Sequence, residues 1–132
     1  MTLKKSRSAG AAVFITFSGN CKKALSFYRD CFGGTLQFDH FDLELAGFAE
    51  KPVVCGALIS ERFTIYGSDL VHNEGRKVGN YISIFLPCED VEDRAIIHEK
   101  LGTCSDNSIA RKGDQKLVEL TDAFDVKWVL AV

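Results

Sequence analysis

The chain of 132 residues lacks an excess of charge of either sign: 16 Lys and Arg stand against 18 Asp and Glu, a formal charge of −2. That balance draws it neither to nucleic acid nor to an anionic membrane surface, both of which call for a basic patch or stripe. The sequence also lacks an apolar run long enough to span a membrane, and its start does not read as a secretory leader. Residues 1–10 carry Lys4, Lys5 and Arg7 among small polar residues, and a flexible tail is expected there. The five cysteines (Cys21, Cys31, Cys55, Cys88, Cys104) are odd in number and contain no close pair at metal-ligand spacing. Free thiols in a reducing, cytoplasmic setting are therefore expected. A glycine-rich strand-to-helix loop that would cradle a nucleotide-like cofactor is absent as well.

What is present is an ordinary globular composition, 46% apolar and 26% charged, in one domain-sized chain. A chain of this length buries about two-thirds of its unfolded surface around one core. Residues 12–18, Ala-Val-Phe-Ile-Thr-Phe-Ser, are β-branched and aromatic and predict a strand. Gly19 breaks it, and Asn20 is placed to cap the next helix. Ala24, Phe27, Tyr28, Cys31 and Phe32 recur at three-and-four spacing, which gives that helix an apolar face. Gly33-Gly34 supplies a left-handed stop.

Residues 35–41 predict a second strand, 42–52 a weakly patterned connection, and 53–60 with 63–68 a hairpin turning at Glu61-Arg62. A polar loop over 70–79 joins this first half to a second with the same plan. There, a strand over 80–88 precedes the N-cap Asp90, a helix over 91–101 and a stop at Gly102. Residues 103–109 are a doubtful strand, 115–121 a clearer one, and Asp122–Asp125 a turn into a last strand over 126–132. Each half reads as strand–helix–strand–strand–strand, with module 1 at about 11–69 and module 2 at about 80–132.

The order and spacing of Phe17-Ser18-Gly19-Asn20, Ala24 with Phe27-Tyr28, and Phe32-Gly33-Gly34 in the first half resemble the vicinal oxygen chelate superfamily. So do Glu89-Asp90-Val91, Leu120-Thr121-Asp122 and the run from Phe124 to Trp128 in the second. This superfamily includes glyoxalases, bleomycin resistance proteins and extradiol dioxygenases. The chain looks most like its PhnB-like branch, often labelled after 3-demethylubiquinone-9 3-methyltransferase. The resemblance implies an α+β fold in which two βαβββ modules form an open mixed sheet, barrel-like, around a cavity. It also implies a homodimer and, in metal-using members, a divalent ion held by side chains from four strands.

The donors for such an ion are thin here. The strand over 12–18 offers only the hydroxyls Thr16 and Ser18 in either register, and the one around 81–86 offers only Ser83. Leu130 stands near the place where the fold often puts a carboxylate, and Cys55 where PhnB-like relatives commonly have histidine. Asp125 replaces the usual turn glycine, and polar 109–114 replaces the Phe-Trp-bearing segment of those relatives. No cofactor is expected, and an ion would have to draw on Cys55, Asp69 or His40.

Phe14, Thr16, Cys55, Tyr66, Ser83, Glu119 and Trp128 are the candidates for lining a ligand cavity. Core packing accounts for the aromatics equally well, and a small buried hydrophobe accounts for Cys55. Glu119 alternates with Val118 and Leu120 and is the best remaining carboxylate for acid–base work, provided its face is concave. Asp69 is equally a turn former. Cys21 falls in a first helical turn, where the dipole lowers a thiol pKa. A tolerated, partly exposed cysteine is the plainer reading of it. His72 and His98 read as structural or solvent-facing. The expected function is binding of an unidentified small molecule without an intact metal site. A metal-dependent lyase, isomerase or dioxygenase with a non-standard ligand set, and an interaction module with a vestigial cavity, remain as alternatives.

Overall fold

The computed structural model describes residues 11–41, 51–70, 78–79, 81–102 and 115–132. The expected tail over 1–10 and the doubtful strand over 103–109 lie outside them. The chain separates into two compact units, Met1–Lys77 and Val78–Val132.

Unit 1 runs β1 (Val13–Thr16), α1 (Cys21–Phe32), β2 (Thr35–His40), β3 (Val53–Ile59) and β4 (Thr64–Ser68). Its sheet has the order β1-β4-β3-β2, with β1 parallel to β4 and the other neighbours antiparallel. Helix α1 buries Cys21, Ala24, Leu25 and Tyr28 at i, i+3, i+4 and i+7, one stripe packed on β2, β3 and β4. This stripe is rotated from the one the spacing suggests, because Phe27, Cys31 and Phe32 lie at its margin. Phe32 meets Phe63 edge to face there, with ring centroids 4.9 Å apart.

Two glycines let the helix come close to the sheet. A Cβ at Gly67 would lie 2.8 Å from Phe17 Cε2 and 3.1 Å from Cys21 Sγ, and one at Gly56 would lie 3.0 Å from Leu25 Cδ1. The paired positions Gly56 and Gly67 therefore define the face of the sheet that receives α1. The helix ends where Gly33 (φ 77) and Gly34 (φ 114) turn left-handed, and the Gly33 N–H closes on Arg29 O at 2.7 Å.

At its start the helix is capped from a distance. Asn20 makes no side-chain cap bond, and its Oδ1 is buried without a hydrogen-bond partner among the described residues. Asp69 does the capping: Oδ1 accepts the N–H groups of Gly19 (2.9 Å) and Cys21 (3.0 Å), and Oδ2 accepts that of Val53 (3.0 Å). One carboxylate thus ties the helix entry, the start of β3 and the end of β4 together.

Unit 2 comprises β5 (Ile84–Pro87), α2 (Val91–Leu101), β6 (Leu117–Thr121) and β7 (Lys127–Ala131). Its sheet has the order β5-β7-β6, with β5 parallel and β6 antiparallel to β7. The parallel β1–β4 pair of unit 1 has its counterpart in β5–β7. Helix α2 begins at the predicted cap, with Asp90 Oδ1 accepting the Asp93 N–H at 2.7 Å and Asp93 Oδ2 accepting the Glu89 N–H at 2.9 Å. Its stop differs from that of α1: Gly102 is extended at φ −77, with its N–H on His98 O. On the buried side of α2, Arg94 Nη1 donates to Gln115 O at 2.6 Å, just ahead of β6.

Strand β5 is shorter than the 80–88 run suggests. Ile84 pairs with Trp128, the second residue of β7, so the register carried back past Ser83 runs beyond the start of β7 into the Asp122–Val126 turn. Tyr81 and Ile82 are left 88% and 71% exposed.

Candidate functional site

Register decides which candidates meet. The row Gln37–Ala57–Tyr66–Phe14 crosses all four strands of unit 1, and it alternates with the row of Phe38, Gly56, Gly67 and Ile15 that faces α1. Gln37, Ala57, Tyr66 and Phe14 therefore occupy the opposite face. Asp39 pairs with Cys55 on that same face, and Ser68 pairs with Thr16. Four of the predicted lining residues (Phe14, Thr16, Cys55 and Tyr66) come together here from three separate strands.

Ala57 is fully buried, and Phe14, Thr16, Gln37, Asp39, Cys55 and Tyr66 are each at least partly accessible on this face. Burial pushes the Cys55 thiol up from its ordinary range, and the neighbouring Asp39 carboxylate adds to the effect. It is a neutral thiol beside a carboxylate, which suits contact with a ligand better than nucleophilic attack.

The other lining candidates, Ser83, Glu119 and Trp128, belong to unit 2. Ser83 is exposed and precedes β5. Glu119 pairs with Val129, next to Phe85, on the exposed face of the unit 2 sheet. Trp128 lies on the other face of that sheet, fully buried beside the buried row Leu86–Leu130–Val118, with its indole N–H on Asp122 Oδ2 at 2.8 Å. Glu119 and Trp128 thus cannot line one surface. His98 is buried near the end of α2, and its Nδ1 has no hydrogen-bond partner among the described residues. His72 lies outside the described residues.

The three metal-donor candidates are not gathered into one site. Both Asp69 oxygens already accept backbone N–H groups. His40 sits beyond a register shift after Asp39, is exposed, and has its ring 6.0 Å from that of Phe38, a residue of the α1 face. Among the described residues no group of three or more His, Cys, Asp or Glu side chains comes together. These positions do not fit the four-strand ion site of the metal-using relatives.

Cys21 corrects a sequence expectation. It is fully buried rather than partly exposed, and its thiol is pushed up, by burial first and then by the charges of Asp69 and Cys55. The Asp69 carboxylate at the helix entry opposes the dipole that would otherwise favour a thiolate.

The architecture has clear counterparts among solved structures. Protein PA1353 from Pseudomonas aeruginosa superposes with a TM-score of 0.70 at 21% identity, over 94% of this chain and 97% of that one. A Bacillus cereus PhnB protein, named for 3-demethylubiquinone-9 3-methyltransferase, superposes with a TM-score of 0.65 at 18% identity, over 92% and 97%. The chain has a PhnB-like glyoxalase fold. An Arabidopsis thaliana gene product shares it more loosely, with a TM-score of 0.54 at 16% identity over 95% and 99% of the two chains. No protein-family model matches the sequence, and no curated protein matches it significantly. Identities this low carry the PhnB-like fold alone. No helix among the described residues is long and apolar enough to cross a membrane.

Asp39 is the charged member of this face that sequence reasoning missed. It stands in the run Gln37-Phe38-Asp39, where alternation separates it from Phe38. Only the pairing with Cys55 gives its face a meaning.

Proposed function

We propose that this chain binds a small organic molecule on the face of the unit 1 sheet opposite α1, without a divalent metal. One observation carries the reading. Phe14, Thr16, Cys55 and Tyr66, singled out at scattered sequence positions, share that face with Asp39 and leave it partly accessible. Aromatic surface with a few convergent polar groups is the make-up of a ligand site. The donor placement supports the metal-free part, since Asp69 is committed to three backbone N–H groups. The binding is of the sequestering kind, like that of resistance proteins sharing this fold.

The methyltransferase activity for which the Bacillus cereus protein is named is not carried over. The strand-to-helix turns at Phe17–Asn20 and Cys88–Asp90 hold one glycine between them and do not form a nucleotide-cradling loop.

A fragment screen followed by amide chemical shifts of the 15N-labelled chain tests the proposal. Hits should move the amides of Gln37, Asp39, Cys55 and Tyr66 together, and dialysis against EDTA should change neither the hits nor the melting temperature. A screen that never perturbs this face overturns the reading. A loss of binding on EDTA treatment overturns its metal-free part.

A further inference from the structure

Among the described strand residues, the face that carries the proposed binding site has one formal charge. Alternation assigns Phe14 and Thr16 of β1, Gln37 and Asp39 of β2, and Cys55 and Tyr66 of β3 and β4 to it. Among the described residues this side of the sheet contains no Lys, Arg or His, and Asp39 is its only carboxylate. No described residue donates a hydrogen bond to that carboxylate, and none pairs with it as a cation. Asp39 is nonetheless partly buried beside Cys55, so its charge is incompletely solvated and, among the described residues, has no counter-ion. Tyr66 and Phe14 are directly paired on adjacent strands and offer two neighbouring aromatic rings.

Resting on the small-molecule reading, we infer that this face selects an organic ammonium ion bearing an aromatic ring, with its charge at Asp39 and its ring against Tyr66 and Phe14. An ammonium group supplies both the missing counter-charge and the missing donors for Asp39 in one charge-assisted contact. The aromatic pair accepts the ring by stacking. Asp39 and Tyr66 stand on strands two places apart and two residues out of line, roughly 12 Å between backbones, a gap that a ring on a two-carbon arm and the two side chains can bridge. The raised pKa of the Cys55 thiol keeps a second negative charge off the site at neutral pH, so recognition turns on Asp39 alone.

The probes are 2-phenylethylamine, 2-phenylethanol and phenylacetate, three ligands that share a ring and differ in charge. Each is titrated into the 15N-labelled wild type and into Asp39→Asn. The amine should move the amides of Asp39, Cys55 and Tyr66 and bind at least tenfold tighter than the alcohol, with phenylacetate weakest. Asp39→Asn should bring the amine down to the affinity of the alcohol and leave the alcohol unchanged, and added salt should weaken the amine in wild type alone. If the alcohol or phenylacetate binds this face as tightly as the amine, the charge selection is overturned and the small-molecule reading stands. If neither these probes nor the fragment screen touches the face, both readings fall. The comparison among the three ligands in wild type keeps the test decisive even if the variant folds poorly.

Discussion

The carboxylate of Asp69 accepts the backbone N–H of Cys21 at 3.0 Å across 48 residues of sequence, and so performs the capping that Asn20, next to Cys21, does not. Removing Asp69 should therefore hurt far more than removing Asn20. Asp69→Ala leaves three N–H groups without an acceptor and should cost about 3 kcal/mol or more. Asn20→Ala should cost under about 0.5 kcal/mol, below the usual penalty for losing an N-cap. Urea denaturation of both variants checks the ordering, and equal losses would return the cap to Asn20.

Buried thiols give unit 1 a pH signature. The folded state holds the Cys21 and Cys55 protons above their ordinary titration range, while the unfolded chain releases them near pH 8.5. Above that pH the folded state binds more protons than the unfolded state, so stability falls as pH rises. It is fully present below about pH 8. Denaturation midpoints between pH 7 and 10 should show this decline, and Cys21→Ala should flatten it.

The β6–β7 turn contains a non-glycine residue in the left-handed region, Asp125 at φ 64. Asp125→Ala should destabilise by about 1 kcal/mol, because a Cβ without a local hydrogen-bonding group is disfavoured there. Asp125→Gly should match or exceed wild type, since glycine adopts that conformation freely. Thermal melts of the pair test this, and an alanine variant as stable as the glycine one would contradict it.

Trp128 is the single tryptophan, fully buried, and its indole N–H is held by Asp122. Asp122 Oδ1 also accepts the Phe124 and Val126 N–H groups, at 2.8 and 3.1 Å. Asp122→Ala should cost about 3 kcal/mol and red-shift the tryptophan emission as the β6–β7 turn loosens. Trp128→Phe removes one donor and should cost about 1–3 kcal/mol. Unchanged emission in Asp122→Ala would show that the turn holds without its carboxylate.

Much of this architecture was legible because its signals are local. Helix α2 spans the predicted 91–101, and α1 ends at the predicted Gly33, since caps and stops act within a turn of the residues that encode them. The β3–β4 hairpin turns at Glu61-Arg62 for the same reason, and its chain is closed by Ser60 and Phe63. The length of β5 was not legible, because a strand lasts only as long as its partner, and β7 begins at Lys127.

The sequence by itself determined the order of the described strands and helices, the cap and stop residues that bound α2 and end α1, and a near balance of charge. The tertiary structure decided which side chains share a surface. It joined Cys55 to Asp39 and Tyr66 to Phe14, separated Glu119 from Trp128, and gave Asp69 to the helix entry. Alternation within a strand assigns residues to two faces, but which face meets the helix depends on long-range register and on where glycine permits close approach.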